Sequence, residues 1–171
     1  MKDLKKNNSV IKKLKVIAGK KYVLTTESSK EHYCKGWRYG GGSAIAVVKP
    51  GTLLEIWEII QVCVDFNIIV IMQAANTGLT GGSTPNGNDY DRPVLILNNM
   101  RINDIHIING GKQFIGLPGS TLFDLENKLS PYGREPHSVI GSSCIGASII
   151  GGICNNSGGA LIKRGPAYTE L

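Results

Sequence analysis

The sequence has no long apolar run and no paired cysteine spacing. No stretch approaches the ~18 consecutive apolar residues of a membrane-spanning helix, and nothing near the start has the apolar core of a secretory signal. The cysteines form neither a C-x-x-C pair nor a zinc-type spacing with histidine; they are Cys34, Cys63, Cys144 and Cys154. We therefore expect a soluble or membrane-peripheral protein with reduced cytosolic thiols and no disulfide or zinc framework.

Two common phosphate-binding motifs are also missing. The sequence contains neither G-x-x-x-x-G-K-[ST] nor G-x-G-x-x-G. The first motif cradles nucleotide phosphates in P-loop hydrolases, and the second holds the pyrophosphate in Rossmann domains. Both classes are therefore weak candidates for this chain.

Positive charge is concentrated in the first 30 residues. Residues 1–30 contain nine lysines against two acidic residues, whereas the remainder contains ten basic and eleven acidic residues. Tyr22 is the one aromatic residue among these lysines and arginine is absent, so a nucleic-acid-binding face is not expected. Apolar residues near helical spacing predict a basic amphipathic helix; they are Leu4, Ile11, Leu14 and Ile17. This helix would either dock through its apolar stripe or be attracted to anionic lipid headgroups.

The segments after residue 43 predict the order strand, helix, strand, loop, strand. Strands are expected at 44–48, 68–72 and 93–98. A helix is expected to begin after Thr52, an N-cap candidate with Glu55 at the capping-box spacing. The apolar residues of this helix recur at helical spacing and are Leu53, Ile56, Trp57, Ile60 and Val64.

A second α/β unit follows the first. Apolar segments at 105–108 and 113–117 flank the sequence NGGK, which is typical of a β-hairpin. Ser120 is a candidate N-cap for a helix that runs to about Leu129. The leucines expected on one face of this helix are Leu122, Leu125 and Leu129.

Glycine is abundant, with 22 residues, and it concentrates after each predicted α/β unit. The two units and their glycine-rich segments would therefore face a shared cleft. The predicted segments are a basic helical arm at 1–35, a first α/β subdomain at 36–100 and a second α/β subdomain at 101–171.

The first glycine-rich segment, QAANTGLTGGSTPN at 73–86, carries no charged side chain. Gly78, Gly81 and Gly82 permit positive φ and close approach of a ligand, and successive amides in such a loop bind anions. Short side-chain donors are also present: Asn76, Thr77, Thr80, Ser83 and Thr84. This chemistry suits a diphosphate that is attached to a large organic group. The alternative is a long structural connection.

The second segment, SVIGSSCIGASIIGGICNNSGG at 138–159, alternates apolar residues with glycine, serine and alanine. Such a backbone leaves room for a flat ring system, and Asn155, Asn156 and Ser157 can hydrogen-bond ring carbonyls and nitrogens. The alternative for this segment is buried serine and glycine packing without a ligand.

These two segments carry a resemblance to a known family. QAANTGLTGGSTPNGNDYDRPV and GREPHSVIGSSCIGASIIGGICNNSGGALIKRGPAYTE resemble the N-terminal flavin-binding part of bacterial respiratory D-lactate dehydrogenases. These enzymes are quinone-dependent flavoproteins of the vanillyl-alcohol-oxidase superfamily. The resemblance runs from about Tyr33 to Leu171. It implies an α+β fold of the PCMH type, with a flavin cleft between two small α/β subdomains and truncated in this chain.

The resemblance also implies a cofactor and its contacts. The cofactor would be FAD, held without a covalent bond because 73–86 contains no histidine. The residues that would bind FAD are Ala74, Ala75, Asn76, Thr77, Gly78, Gly82, Ser83, Gly141, Ser148 and Gly158.

The implied reaction is the oxidation of D-lactate to pyruvate, with electrons passed to ubiquinone or menaquinone. The implied location is peripheral, on the cytoplasmic side of the bacterial inner membrane. Members of the family are much longer than this chain, so we expect a fragment, a frameshifted product or half of a split enzyme. No catalytic or substrate-binding residue is assigned within it. The alternatives are a non-enzymatic module for diphosphates or nucleotides and an inactive truncated remnant.

Overall fold

The computed structural model describes residues 2–136 and 145–157 of the chain, with side chains from Asn7 onward. The chain divides into two compact units, of which the first ends at Arg101 and the second begins at Ile102. The roles given above to 1–35, 36–100 and 101–171, as an arm and two cofactor subdomains, stay predictions.

The first unit is built on a mainly parallel sheet. Its elements in chain order are α1 (Lys2–Ala18), β1 (Val23–Leu24), α2 (Glu27–Cys34), β2 (Gly41–Gly42), β3 (Ala46–Val48), α3 (Leu53–Asp65), β4 (Ile69–Gln73), β5 (Asn86–Gly87) and β6 (Val94–Asn98). The sheet order is β1-β3-β6-β4; β3, β6 and β4 are parallel, and β1 pairs antiparallel with β3. β2 and β5 form a separate parallel pair. The three predicted strands are confirmed.

Both faces of this sheet are covered, because alternate residues of a strand point to opposite sides. Ala46 and Leu95 belong to a core that includes residues of α1 and α3. Val47 and Ile96 belong to a second core that includes Cys34 of α2. The strands β3 and β6 are therefore apolar at every position except Asn98, as expected for parallel strands that are buried on both faces.

The basic N-terminal helix is confirmed as α1, and it is docked on the sheet. Val10, Leu14 and Ala18 are buried in the first core, and Lys12 and Lys13 are exposed. The helix therefore docks through an apolar face, but of the predicted stripe only Leu14 and the half-buried Ile17 belong to this core among the described side chains. In the described part of the chain, no helix combines the length and the apolar character needed to cross a membrane.

The predicted capping of α3 is confirmed at the atomic level. The Glu55 amide donates to Thr52 Oγ1 at 3.1 Å. The Glu55 carboxylate in turn accepts from the amide of Gly51 at 2.7 Å, one residue earlier than in a standard capping box.

The predicted apolar face of α3 is largely wrong. Trp57 is 59% exposed, and Leu53 and Val64 are also exposed. The face that packs on the sheet contains Ile59, Val62 and Cys63, with Ile56 and Ile60 half-buried at its margin. The cause is that α3 is apolar on two sides, so helical spacing alone selects either side.

The second unit begins with a β-hairpin and continues with two short helices. Its described elements are β7 (Ile105–Ile108), β8 (Gln113–Gly116), α4 (Leu122–Leu129) and α5 (Ile149–Cys154). β7 and β8 pair antiparallel, with Ile105 opposite Gly116 and Ile108 opposite Gln113, which confirms the hairpin. The helix and its three buried leucines are confirmed as well.

The predicted N-cap of α4 is off by one residue. Thr121 is the cap, and its Oγ1 accepts from the amide of Asp124 at 3.1 Å. Ser120 is fully buried, and its hydroxyl donates to the carbonyl of Asp104 instead. Two adjacent hydroxyl residues precede the helix, and the sequence does not distinguish between them.

Candidate cofactor-binding site

The first glycine-rich loop leaves the sheet at its carboxyl edge. β4 ends at Gln73, and the chain rejoins a strand at Asn86. β4, β6 and β3 are parallel, so their carboxyl ends share this edge. Ligands of open parallel sheets bind in the crevice outside the carboxyl ends of the strands.

Several polar side chains of the loop are used to shape the loop itself. Asn76 has φ 55°, its Nδ2 donates to the carbonyl of Lys35 at 2.9 Å, and its Oδ1 accepts from Ser83 Oγ at 2.9 Å. Thr84 Oγ1 donates to the carbonyl of Gly81 at 3.1 Å. The side chains of Asn76, Ser83 and Thr84, which were predicted as ligand donors, therefore make hydrogen bonds that stabilise the loop.

The main chain of the loop has hydrogen-bond donors without a partner among the described residues. Within the described part of the first unit, none of the amides of residues 75–83 donates a hydrogen bond to another residue. An amide N–H that lacks a protein partner needs water or a ligand. Nine consecutive amides without a partner among the described residues offer donors of the kind that a phosphate or a diphosphate needs.

The glycines of the loop fall into two kinds. Gly81 has φ 74°, and a Cβ there would lie 2.9 Å from the carbonyl oxygen of Tyr39, so the fold itself requires glycine. A Cβ on Gly78 or Gly82 would meet no atom within 4 Å, and neither residue has positive φ. A ligand lying against the loop gives a reason for glycine at these two positions.

A buried polar atom lies next to the start of the loop. Asn99 is 8% exposed, its amide N–H donates to the carbonyl of Gln73 at 2.8 Å, and its Oδ1 has no partner within the described residues. A buried carbonyl oxygen without a donor is unfavourable, so a water or a ligand hydroxyl would stabilise it. Together with the free amides and the open glycines, this acceptor fits a nucleotide-type ligand.

The residues predicted to bind FAD fall into three groups. The first group lies in this one loop: Ala74, Ala75, Asn76, Thr77, Gly78, Gly82 and Ser83. Ser148 lies in the second unit, where it is buried and caps α5 by accepting from the amide of Gly151 at 3.2 Å. Gly141 and Gly158 lie outside the described residues. The role of all ten as FAD contacts stays a prediction.

Two residues that anchor the loop were missed by sequence reasoning. Gln73 and Asn98 are both 2% exposed and are paired across β4 and β6. Asn98 Nδ2 donates to the carbonyl of Ala74 at 2.9 Å and so fixes the first residue after the strand. The available signal was a polar amide at the end of an otherwise apolar strand, because a buried amide needs partners.

Comparison with known proteins shows the family to which the chain belongs. Residues 44–167 match the family described as FAD binding domain, so the chain belongs to this family of FAD-binding domains. Among solved structures, it is similar to an alkyldihydroxyacetonephosphate synthase (TM-score 0.81, 14% identity, 96% of this chain and 32% of that chain). It is also similar to p-cresol methylhydroxylase (TM-score 0.72, 16% identity, 88% of this chain and 30% of that chain). The α+β fold of PCMH-type flavoproteins is confirmed.

Curated relatives narrow the family further. The chain is 64% identical, over 95% of its length, to the quinone-dependent D-lactate dehydrogenase of Haemophilus influenzae. The proteins of the same name from Escherichia coli and Corynebacterium glutamicum are 56% and 53% identical, each over 96% of the chain. The chain spans 29% of the length of each of these relatives. The predicted resemblance is confirmed.

Proposed function

We propose that this chain is the FAD-binding portion of a respiratory D-lactate dehydrogenase, which oxidises D-lactate to pyruvate and passes electrons to a membrane quinone. The identity to three proteins named quinone-dependent D-lactate dehydrogenase supports the reaction. The run of amides at 75–83 without a partner among the described residues, together with the open space at Gly78 and Gly82, is the observation that carries the cofactor assignment. When bound, FAD supplies two-electron redox chemistry by taking up a hydride equivalent from a substrate.

The residues of this chain would bind and orient the cofactor. The amides of 75–83 would surround the diphosphate, and Gly78 and Gly82 would let it approach the main chain. The second segment would add Gly141, Ser148 and Gly158. Binding would be non-covalent, because 73–86 contains no histidine for a flavin linkage.

The proposed location is peripheral, on the cytoplasmic face of the bacterial inner membrane, because the electron acceptor is a membrane quinone. The proposed partners are D-lactate and ubiquinone or menaquinone. No base or substrate-binding residue of the dehydrogenase is assigned to this chain.

FAD binding is tested by titrating the purified chain with FAD and following flavin fluorescence and thermal unfolding. We expect saturable binding and an unfolding temperature that rises with FAD concentration, since a ligand of the folded state stabilises it. ADP and a UDP-sugar serve as competitors and should bind more weakly than FAD. A preference for the UDP-sugar would instead indicate a nucleotide-binding module, and the lack of a cooperative unfolding transition would indicate an inactive remnant.

The reaction is tested in a chimera in which this chain replaces the matching segment of the Haemophilus influenzae relative. We expect the chimera to hold FAD and to reduce a soluble quinone analogue with D-lactate, and L-lactate is the matched control substrate. An FAD-loaded chimera that does not oxidise D-lactate would contradict the proposed reaction while leaving the cofactor assignment in place.

A further inference from the structure

Gln73 is a buried, uncharged side chain at the root of the loop. It is the last residue of β4 and is 2% exposed. Its Nε2 donates to the carbonyl of Tyr33 at 2.9 Å and to the carbonyl of Ser83 at 2.8 Å. Its Oε1 accepts from Asn98 Nδ2 at 3.2 Å. Both amide protons and the amide oxygen of one side chain are therefore used.

These bonds join parts of the chain that are distant in sequence. Ser83 lies at the far end of the run of unused amides, so the bond from Gln73 to Ser83 closes the run into a ring. The bond to Tyr33 connects the same ring to α2. Within 75–84, the described main chain makes one internal hydrogen bond of its own, from the amide of Thr84 to the carbonyl of Gly81. The loop thus depends on side chains for its shape.

We propose that Gln73 is a positioning residue that holds the two ends of this loop together, so that the amides of 75–83 face a bound diphosphate. The proposal rests on the proposed FAD-binding function. A loop that is already ordered binds more tightly, because less conformational entropy is lost on binding. Glutamine fits the position because its side chain has two N–H donors and one oxygen acceptor. The donors match the carbonyls of Tyr33 and Ser83, and the acceptor matches the side-chain Nδ2 of Asn98.

The first test compares Gln73→Met with Lys30→Met in the full 171-residue chain. Methionine keeps the volume of Gln73 and removes its three hydrogen bonds, so FAD should bind roughly 10- to 100-fold more weakly, as for a loss of about 0.5–1 kcal/mol per neutral hydrogen bond. Lys30 is equally buried, and its Nζ donates to the carbonyl of Ala44 just before β3, away from the carboxyl edge. Lys30→Met should lower the unfolding temperature but change FAD affinity by less than about twofold.

A second variant, Gln73→Glu, distinguishes the loss of hydrogen bonds to the loop from a loss of side-chain packing at residue 73. At pH 8 its carboxylate would face the carbonyl oxygens of Tyr33 and Ser83, both uncharged acceptors, and FAD binding should be weak. At pH 5 the carboxyl group would be protonated more often and would regain one donor. FAD affinity of Gln73→Glu, relative to the unchanged chain at the same pH, should therefore recover in part at pH 5, whereas that of Gln73→Met should not.

Hydrogen exchange of the FAD-free chain provides a readout that does not need the cofactor. The amide of Thr84, which donates to the carbonyl of Gly81, should exchange at least several-fold faster in Gln73→Met than in the unchanged chain, and Lys30→Met should leave its exchange unchanged. The proposal is overturned if loop exchange and FAD affinity in both Gln73 variants match the unchanged chain. If the unchanged chain binds no FAD, the proposed function fails, and the exchange experiment still decides the role of Gln73.

Discussion

Gly78, Gly81 and Gly82 lie within five residues of one another, yet their surroundings differ. Gly81 combines positive φ with a close carbonyl, whereas the space where a Cβ of Gly78 or Gly82 would lie is empty. Glycine in the unfolded chain is more flexible than other residues, so an unneeded glycine reduces stability. A bound group that needs this space would give a reason for glycine at 78 and 82.

Substitution of these glycines should separate ligand binding from folding. Gly82→Val should weaken FAD binding at least roughly tenfold, or ~1.4 kcal/mol, while leaving the unfolding temperature of the FAD-free chain unchanged or slightly higher. Gly81→Ala is the control, because an L-residue in the left-handed region costs roughly 1–2 kcal/mol of stability. FAD titration and thermal unfolding measure both effects. Unchanged FAD affinity in Gly82→Val would remove this loop from the site.

Asn99 is a buried residue whose replacement is expected to keep or raise the free energy of unfolding, whereas most substitutions lower it. Its Oδ1 is buried without a partner among the described residues, so replacing the amide by an apolar side chain of similar size removes an unfavourable group. We expect Asn99→Leu to leave the free energy of unfolding of the FAD-free chain unchanged or raise it by about 1 kcal/mol. Urea denaturation measures this change. A loss of more than about 1 kcal/mol would mean that the oxygen has a partner in the folded chain.

Cys63 should be chemically inert in the folded chain. It is 1% exposed, and burial raises the pKa of its thiol to about 11. At pH 8 we expect alkylation of Cys63 at least roughly 100-fold more slowly than of the exposed Cys154, measured by site-resolved mass spectrometry. Because the folded-state pKa is raised, the stability from the neutral thiol is complete below about pH 8.5 and is lost as the pH rises towards 11. Equal labelling of the two cysteines without denaturant would contradict the packing of α3.

At the scale of elements, the two threonine caps of the first unit differ in one bond. Thr52 accepts the Glu55 amide at the start of α3, whereas Thr26, at the start of α2, makes no such bond and donates only to the hydroxyl of Ser29. Thr52→Ala should therefore lower the free energy of unfolding by about 1 kcal/mol. Thr26→Ala should change it by less than about 0.5 kcal/mol. Denaturant titration compares them, and equal losses would show that the cap bond is not the cause.

The sequence predicted elements better than the details of their packing. Strands β3, β4 and β6 and the hairpin were recognisable because apolar runs ended at clear turn residues such as Pro50-Gly51. The face of α3 was not, because Trp57 and Ile59 both belong to plausible helical stripes and only the tertiary contacts choose between them. α5 was missed because Gly151 and Gly152 weaken helix propensity, and the cap of Ser148 stabilises the turn locally.

At the scale of the whole molecule, the position of the candidate loop was predictable from the sequence. The hydrogen bonds that hold this loop in place were not. An uncharged run of 14 residues after a buried strand marked the loop. The bonds that hold it come from Gln73, Asn98 and the carbonyls of Tyr33 and Lys35, up to 41 residues away from their partners. Such long-range hydrogen bonds leave no local pattern in the sequence.

The central claim is that the amides of the first glycine-rich loop bind FAD. Hydrogen exchange with mass spectrometry, measured on the 171-residue chain with and without saturating FAD, tests it directly. We predict slower exchange in FAD for peptides that cover 75–83, with little change in α1. Equal exchange of the 75–83 peptides with and without FAD would contradict the claim.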